Sequence, residues 1–202
     1  KSTLLACLAG RFSPKSGEVR ICGRNPSQLP PPERARLVSV LLSRQPPSGS
    51  LRLDELLHLN PDARVARSAA TQSRRAEVLA GLGLQSLENR RLAELSDGQR
   101  QRAFLARSVL QETPVLLADE PLLHLDARSA RGAMDTLEAE ARNNGRVVVC
   151  AMHDLNFAVE WANELLLICG HQLRILESSK LHENENASRE FRDALQSAGF
   201  SV

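Results

Sequence analysis

Residues Val115-Leu116-Leu117-Ala118 form an uninterrupted apolar run that ends abruptly in two adjacent carboxylates, Asp119 and Glu120. So short and so continuously apolar a run has no polar face to give to water. It reads as a strand buried on both sides, the kind found in a parallel sheet covered by helices. The segments 146–151 and 165–168 share the pattern, as does the run from Leu37 to Leu42, and all alternate with stretches of helical periodicity. This alternation predicts an α/β chain with parallel strands and crossover helices. Ligand chemistry in such sheets gathers outside the C-terminal ends of the strands, which is where Asp119 and Glu120 stand.

The 202 residues suffice for one such domain with an insertion. Lys1 to Leu8 reads as a helix stopping at Gly10, and Val19 to Cys22 as a short alternating strand bounded by glycines. Pro30-Pro31-Pro32 signals a loop before a short charged helix from Glu33 to Arg36. From Gln45 to about Glu94 Leu, Ala and Arg recur at helical spacing with no strand, which predicts a small helical insertion. The expected organisation is therefore an N-terminal part of the core over 1–44, a helical subdomain over 45–94, the rest of the core over 95–177 and a polar tail over 178–202.

Lys and Arg number 26 against 24 Asp and Glu, and aromatic residues make up 3% with no Tyr. Neither a basic field nor a stacking surface is available, so a nucleic-acid partner is not expected. No apolar run approaches the roughly 18 to 20 residues that span a bilayer. The four cysteines, Cys7, Cys22, Cys150 and Cys169, lie singly within apolar stretches. They read as small buried hydrophobes in a reducing compartment rather than as a zinc site. His58, His124, His171 and His182 read as surface or loop residues, and Arg64 to Arg75 as a solvated helical face.

Four further segments carry chemical meaning. Lys1-Ser2-Thr3 opens a helix as do the last positions of a phosphate loop, where a Lys reaches phosphates, a hydroxyl reaches Mg²⁺ and the helix N-terminus offers N–H donors. Ser96 caps the helix that begins in Leu95-Ser96-Asp97-Gly98-Gln99-Arg100-Gln101-Arg102. Asp126 follows in Leu123-His124-Leu125-Asp126, and His153 ends another apolar strand in Met152-His153-Asp154-Leu155. Each has an ordinary explanation by itself: a basic helix start, a capped helix, a solvated turn. Their fixed order, with Asp119-Glu120 between them, does not.

In that order the chain resembles the nucleotide-binding subunits of ABC transporters over essentially its whole length. Leu95 to Gln99 is similar to the family's LSGGQ signature, Val115 to Glu120 to its Walker B strand, Leu123 to Asp126 to its D-loop and His153 to its switch histidine. The resemblance implies a P-loop NTPase fold of RecA-like type with an inserted helical subdomain. It also implies ATP and Mg²⁺ held between two subunits meeting head to tail. Lys1, Ser2 and Thr3 would then hold phosphate, with Ser2 and Asp119 on Mg²⁺. Glu120 would polarise the attacking water and His153 would contact the γ-phosphate. Ser96, Gly98 and Gln99 would face the partner's nucleotide, and Asp126 would link the two sites.

The wording of 96–101 and of Gln111-Glu112-Thr113-Pro114 is most similar to the importer branch serving iron complexes such as siderophores and haem, with cobalamin close by. Implied partners are a second copy or a paralogous cassette, transmembrane permease subunits and, indirectly, a substrate-binding protein. The implied place is the cytoplasmic face of the inner membrane. A non-transport or degenerate ABC ATPase, and the cassette half of an exporter, are the alternatives.

Several positions depart from the family pattern. The glycines of the phosphate loop are absent, so the chain is expected to begin inside a longer protein and, by itself, to bind ATP weakly. An ungapped reading puts Ser43 at the Q-loop position and Gln45 two residues later, so either could serve. Asp97 stands where Gly is common, adding a carboxylate near the bound triphosphate. Leu122-Leu123 and Met152 replace small polar residues, which could loosen the dimer contact.

Overall fold

The computed structural model describes residues 1–46, 49–59, 69–169 and 172–177. Its element order begins with α1 (Ser2–Leu8), α2 (Pro31–Arg34), β1 (Val38–Leu41), α3 (Leu53–Leu57), α4 (Ala69–Gly81) and α5 (Asp97–Leu110). It continues with β2 (Val115–Asp119), α6 (Ala127–Asn144), β3 (Val147–Ala151), α7 (Leu155–Trp161), β4 (Glu164–Cys169) and β5 (Gln172–Glu177). The chain divides into two units, the second beginning at His153.

In the first unit β1, β2 and β3 make a parallel sheet in that order, with Val38 opposite Val115 and Val115 opposite Val147. Side chains alternate across a strand, and both faces of this sheet are used. Val38, Leu117 and Ala151 pack with Leu5 and Ala9 of α1, joined by the partly buried Val40, Val115 and Val149. The alternate positions, among them Leu41, Leu116 and Ala118, are buried as well. On that side α5 packs against β1, and α6 against β3. Burial on both faces is why the strands carry no polar alternation.

Helix ends follow local chemistry. Asp126 caps α6 by accepting from the Ser129 N–H at 2.9 Å, and α6 stops at Gly145 in the left-handed region, φ 63°. Helices α3 and α4 both pack on α5. At Gly132 of α6 a Cβ would come within 2.8 Å of the Gly81 carbonyl oxygen, so a glycine is what lets α4 approach α6 so closely.

At the N-terminal edge of the sheet Arg146 is only 7% exposed and Glu140 only 1%. Arg146 donates to Glu140 Oε2 at 2.6 Å, to the carbonyls of Thr113 (2.7 Å) and Val109 (2.8 Å), and to the Ser39 hydroxyl at 3.2 Å. Glu140 also pairs with Arg74 of α4. Burial pulls the Arg146 guanidinium down to about 10, which leaves it cationic at neutral pH. One ion cluster thus ties β1, α5, the start of β2 and α6 together, and Arg74 adds α4.

Several expectations need correction. Leu165 to Ile168 lies in β4, which among the described residues pairs antiparallel with β5 in a two-stranded ribbon and with no strand of the parallel sheet. The segment before Cys22 forms only an isolated bridge, Ile21 to Arg24, because Cys22 and Gly23 both take positive φ and turn the chain back at once. The charged helix starts at Pro31, whose fixed φ suits a first turn, and ends at Arg34. Cys22, on that turn, is exposed, and Cys7 and Cys150 are half-buried. Arg74 and Arg75 do not form a solvated face: they are 26% and 19% exposed and pair with Glu140 and Glu88. Residues 64–68 of that stretch, His171, His182 and the tail from 178 lie outside the described residues, whereas His58 and His124 are exposed as expected.

Candidate functional site

At the C-terminal edge of the parallel sheet the start of α1 meets the residues that follow β2 and β3, and part of the sequence-predicted set lies there. Lys1 precedes α1, and its Nζ donates to the Met152 carbonyl at 3.0 Å and lies 3.6 Å from Glu120 Oε1. The start of α1, the end of β2 and the residue after β3 therefore converge on one ammonium. Ser2 and Thr3 form the exposed first turn of α1, where backbone N–H groups have no helical acceptor. Asp119 is the last residue of β2, paired in register with Ala151 and 7% exposed.

Glu120 has φ +51°, a conformation that side chains other than Gly rarely take. Its backbone is held on both sides: the N–H donates to the Ala151 carbonyl at 2.8 Å, and the carbonyl accepts from Gln101 Nε2 at 3.1 Å and from the Leu123 N–H at 3.2 Å. Gln45 turns back from the loop after β1, donating to the Leu42 carbonyl at 2.6 Å and to Gln101 Oε1 at 3.3 Å. Gln45 thus lies beside the Glu120 loop, with its amide engaged to Gln101. Sequence reasoning did not single out Gln101. Its type gives little signal, since it stands among Gln99, Arg100 and Arg102; only its place one turn before the apolar Phe104 and Leu105 hints at an inward position.

A second cluster forms where α5 begins. Ser96 Oγ accepts from the Gln99 N–H at 3.2 Å while Gln99 Oε1 accepts from the Ser96 N–H at 3.0 Å, a reciprocal cap. The Gln99 side chain is thereby committed to the helix end, while the Ser96 hydroxyl keeps a proton to donate. Asp97 pairs with Arg100 one turn on, which offsets the charge it adds. Gly98 lies against the loop after β2: a Cβ there would sit 2.6 Å from the His124 carbonyl oxygen. Ser96, Gly98, Gln99, His124, Asp126 and Ser129 line one shallow cleft. Asp126 accepts from both the Ser129 N–H and its hydroxyl, and the N–H bond above all holds its carboxyl below the usual range.

His153 follows Met152 at the end of β3 and is exposed; it opens the second unit. Among the described residues no group of three or more His, Cys, Asp or Glu side chains is placed to hold a metal ion, and no helix is long and apolar enough to cross a membrane.

An ammonium at a helix start, facing a strand that ends in two carboxylates and joined to a signature-like helix, is the arrangement of a nucleoside-triphosphatase cassette. The family model for ABC transporters matches residues 1–123. The chain is 33% identical over 176 residues to the hemin import ATP-binding protein HmuV of Bordetella avium, covering 83% of this chain and 67% of that protein. It is 31% identical over 170 residues to the petrobactin import ATP-binding protein FatE of Bacillus anthracis, covering 82% and 67%. Among solved structures, a dimeric ATP-binding cassette in a post-hydrolysis state with ADP and Pi superposes with a TM-score of 0.75 at 25% identity, covering 88% of this chain and 80% of that one. The chain belongs to the ABC transporter family. It has the P-loop NTPase fold of that family's ATP-hydrolysing cassettes.

Proposed function

We propose that this cassette hydrolyses ATP at a head-to-tail dimer interface and so powers uptake of an iron complex, a siderophore or haem, or of cobalamin. The observation that carries the catalytic part is the convergence of Lys1 Nζ on Glu120 Oε1 at 3.6 Å beside the Met152 carbonyl. A triphosphate offers that ammonium more negative charge than one carboxylate does, and so displaces it. The importer part is supported by the names of the relatives, which concern hemin and petrobactin import.

Lys1 would bind the β- and γ-phosphates, with the N–H groups of Ser2 and Thr3 beside it. The Ser2 hydroxyl and the Asp119 carboxylate would hold Mg²⁺. Two hard oxygen donors are too few for a protein-only cage, and suit an ion that arrives with water and phosphate oxygens. Bound there, Mg²⁺ supplies neutralisation of phosphate charge. Glu120 accepts a proton from the attacking water, and His153 and Gln45 contact the γ-phosphate side. Ser96, Gly98 and Gln99 complete the partner's site, and Asp126 connects the two. Residues 45–94 are the helical subdomain that meets permease subunits at the cytoplasmic face of the inner membrane. Those subunits and a substrate-binding protein select the cargo.

The test is E120Q in the full-length protein. Removing the proton acceptor should cut turnover by about 10²- to 10⁴-fold while MgATP binding is retained. Wild-type turnover in E120Q refutes the role.

A further inference from the structure

We propose that Gln101 is a positioning residue for hydrolysis: its side chain fixes the strained peptide of Glu120 and ties it to the signature helix. The inference rests on the reading of Glu120 as the residue that activates water. Glu120 sits at φ +51°, and a residue with a Cβ stays in that region only where its surroundings hold it. One hold is the backbone bond from its N–H to Ala151 at the end of β3. The others meet at its carbonyl, which accepts from the Leu123 N–H of its own turn at 3.2 Å and, from a distant helix, from Gln101 Nε2 at 3.1 Å; Gln101 Nε2 also lies 3.5 Å from the Pro121 carbonyl.

Gln101 is 3% exposed, on a helix whose neighbouring inward positions Ala103, Phe104 and Leu105 are apolar and buried. A buried amide is costly unless paired, and an apolar side chain would serve packing alone equally well. Among the described residues every polar contact of the Gln101 side chain goes to a loop at the C-terminal edge of the sheet: Glu120, Pro121 and, through Oε1, Gln45. Its polarity is accounted for by holding those loops, not by stabilising α5. Gln101 also lies one turn beyond Gly98, and a helix transmits displacement of one turn to the next. The direction of the Glu120 carboxylate therefore depends on where the signature end of α5 sits. Any movement of α5 that separates Gln101 from the Glu120 carbonyl leaves that carbonyl to the local turn bond from Leu123 and loosens the hold on the carboxylate's direction.

The experiment compares Q101M, Q101E and E120Q with the wild type in the full-length protein, by steady-state ATPase kinetics, MgATP binding and the amount of dimer formed with MgATP. Q101M removes both arms of the amide. Q101E keeps the size and the oxygen that accepts from Gln45, and lacks the donors to Glu120 and Pro121. Both should lower kcat by about tenfold to a hundredfold, as misplacing a reacting group does. KM and ATP affinity should stay within about twofold, and ATP-bound dimer should accumulate as in E120Q. A wild-type kcat in either folded variant overturns the proposal, and so does a fall in ATP affinity matching the fall in kcat. Should Q101M lose its cooperative melting transition, Q101E decides. If E120Q itself turns over normally, the reading of Glu120 falls and this inference falls with it. If E120Q is inactive and Q101E is not, only the inference falls.

Discussion

Gly98 and Glu120 show how much of this site depends on single backbone positions. Gly98 is in the signature-like segment, and the reason for a glycine is visible beside it: the His124 carbonyl occupies the space a Cβ would need. Because the obstacle is main chain, it cannot swing aside as a side chain could. Gly98→Ala should therefore destabilise the protein by about 1–3 kcal/mol, as overpacking does, and displace the loop that carries Asp126. Urea unfolding of the variant measures this, and an unchanged midpoint would show that the loop yields freely. Glu120 is the opposite case, a non-glycine in glycine's territory held by hydrogen bonds at both ends of its peptide. Its residue type was legible in the sequence. Its strain was not, because φ at one position follows from contacts with β3 and α5, far away in the chain.

At the scale of elements, two helix connections lend themselves to measurement. The Arg146–Glu140 pair is buried, and removing one partner leaves the other charge uncompensated. Glu140→Ala should cost about 3–5 kcal/mol of unfolding free energy in chemical denaturation. A loss under 1 kcal/mol would mean that water replaces the lost carboxylate. The second connection is the cap on α6. The Ser129 N–H, together with the hydroxyl, holds the Asp126 carboxyl below its ordinary value of 3.8. A carboxyl depressed in the folded state contributes stability that is fully present above the unfolded value and is lost as pH falls through the folded one. Thermal unfolding should therefore show wild type above D126N at pH 7, with the gap closing below about pH 4. A gap that stays constant through that window would show that the cap does not depend on the charge.

For the whole molecule, the prediction concerns assembly. The cleft formed by Ser96, Gly98 and Asp126 lies at the start of α5 and α6, whereas the Lys1–Glu120 pair lies at the end of the sheet strands. In the proposed head-to-tail pair, one copy's cleft would meet the other's ammonium. In the full-length E120Q protein, which lacks the proposed proton acceptor, MgATP should move the population from monomer to dimer in size-exclusion or light-scattering measurements. At ATP about a hundredfold above Kd, ligand binding should add about 2.7 kcal/mol of apparent stability. A protein that stays monomeric with saturating MgATP would exclude the shared-site arrangement.

The sequence alone determined the elements whose signal is local. A run such as Val115 to Ala118 has to be buried on both faces wherever it lies, so β1, β2 and β3 were readable with boundaries off by about a residue. The caps at Ser96 and Asp126 were readable too, since capping needs only three or four consecutive residues. The order of the motifs was likewise written along the chain, and the family followed from it. Tertiary structure decided which strands pair. The 165–168 segment has the composition of a parallel core strand, yet it pairs antiparallel with β5, because pairing depends on where the neighbouring strand returns. It also decided which polar residues are pulled inside. Arg74 looks in sequence like one more solvated arginine, and becomes a partner of Glu140 only when α4 lies on α6. Gln101 looks like one more polar residue in a charged segment until the fold sets the Glu120 carbonyl 3.1 Å from its amide. The physical reason is common to all of these: periodicity and capping are short-range and recorded in neighbouring residues, whereas pairing between distant groups is settled by the burial of surfaces that come together only in the folded chain.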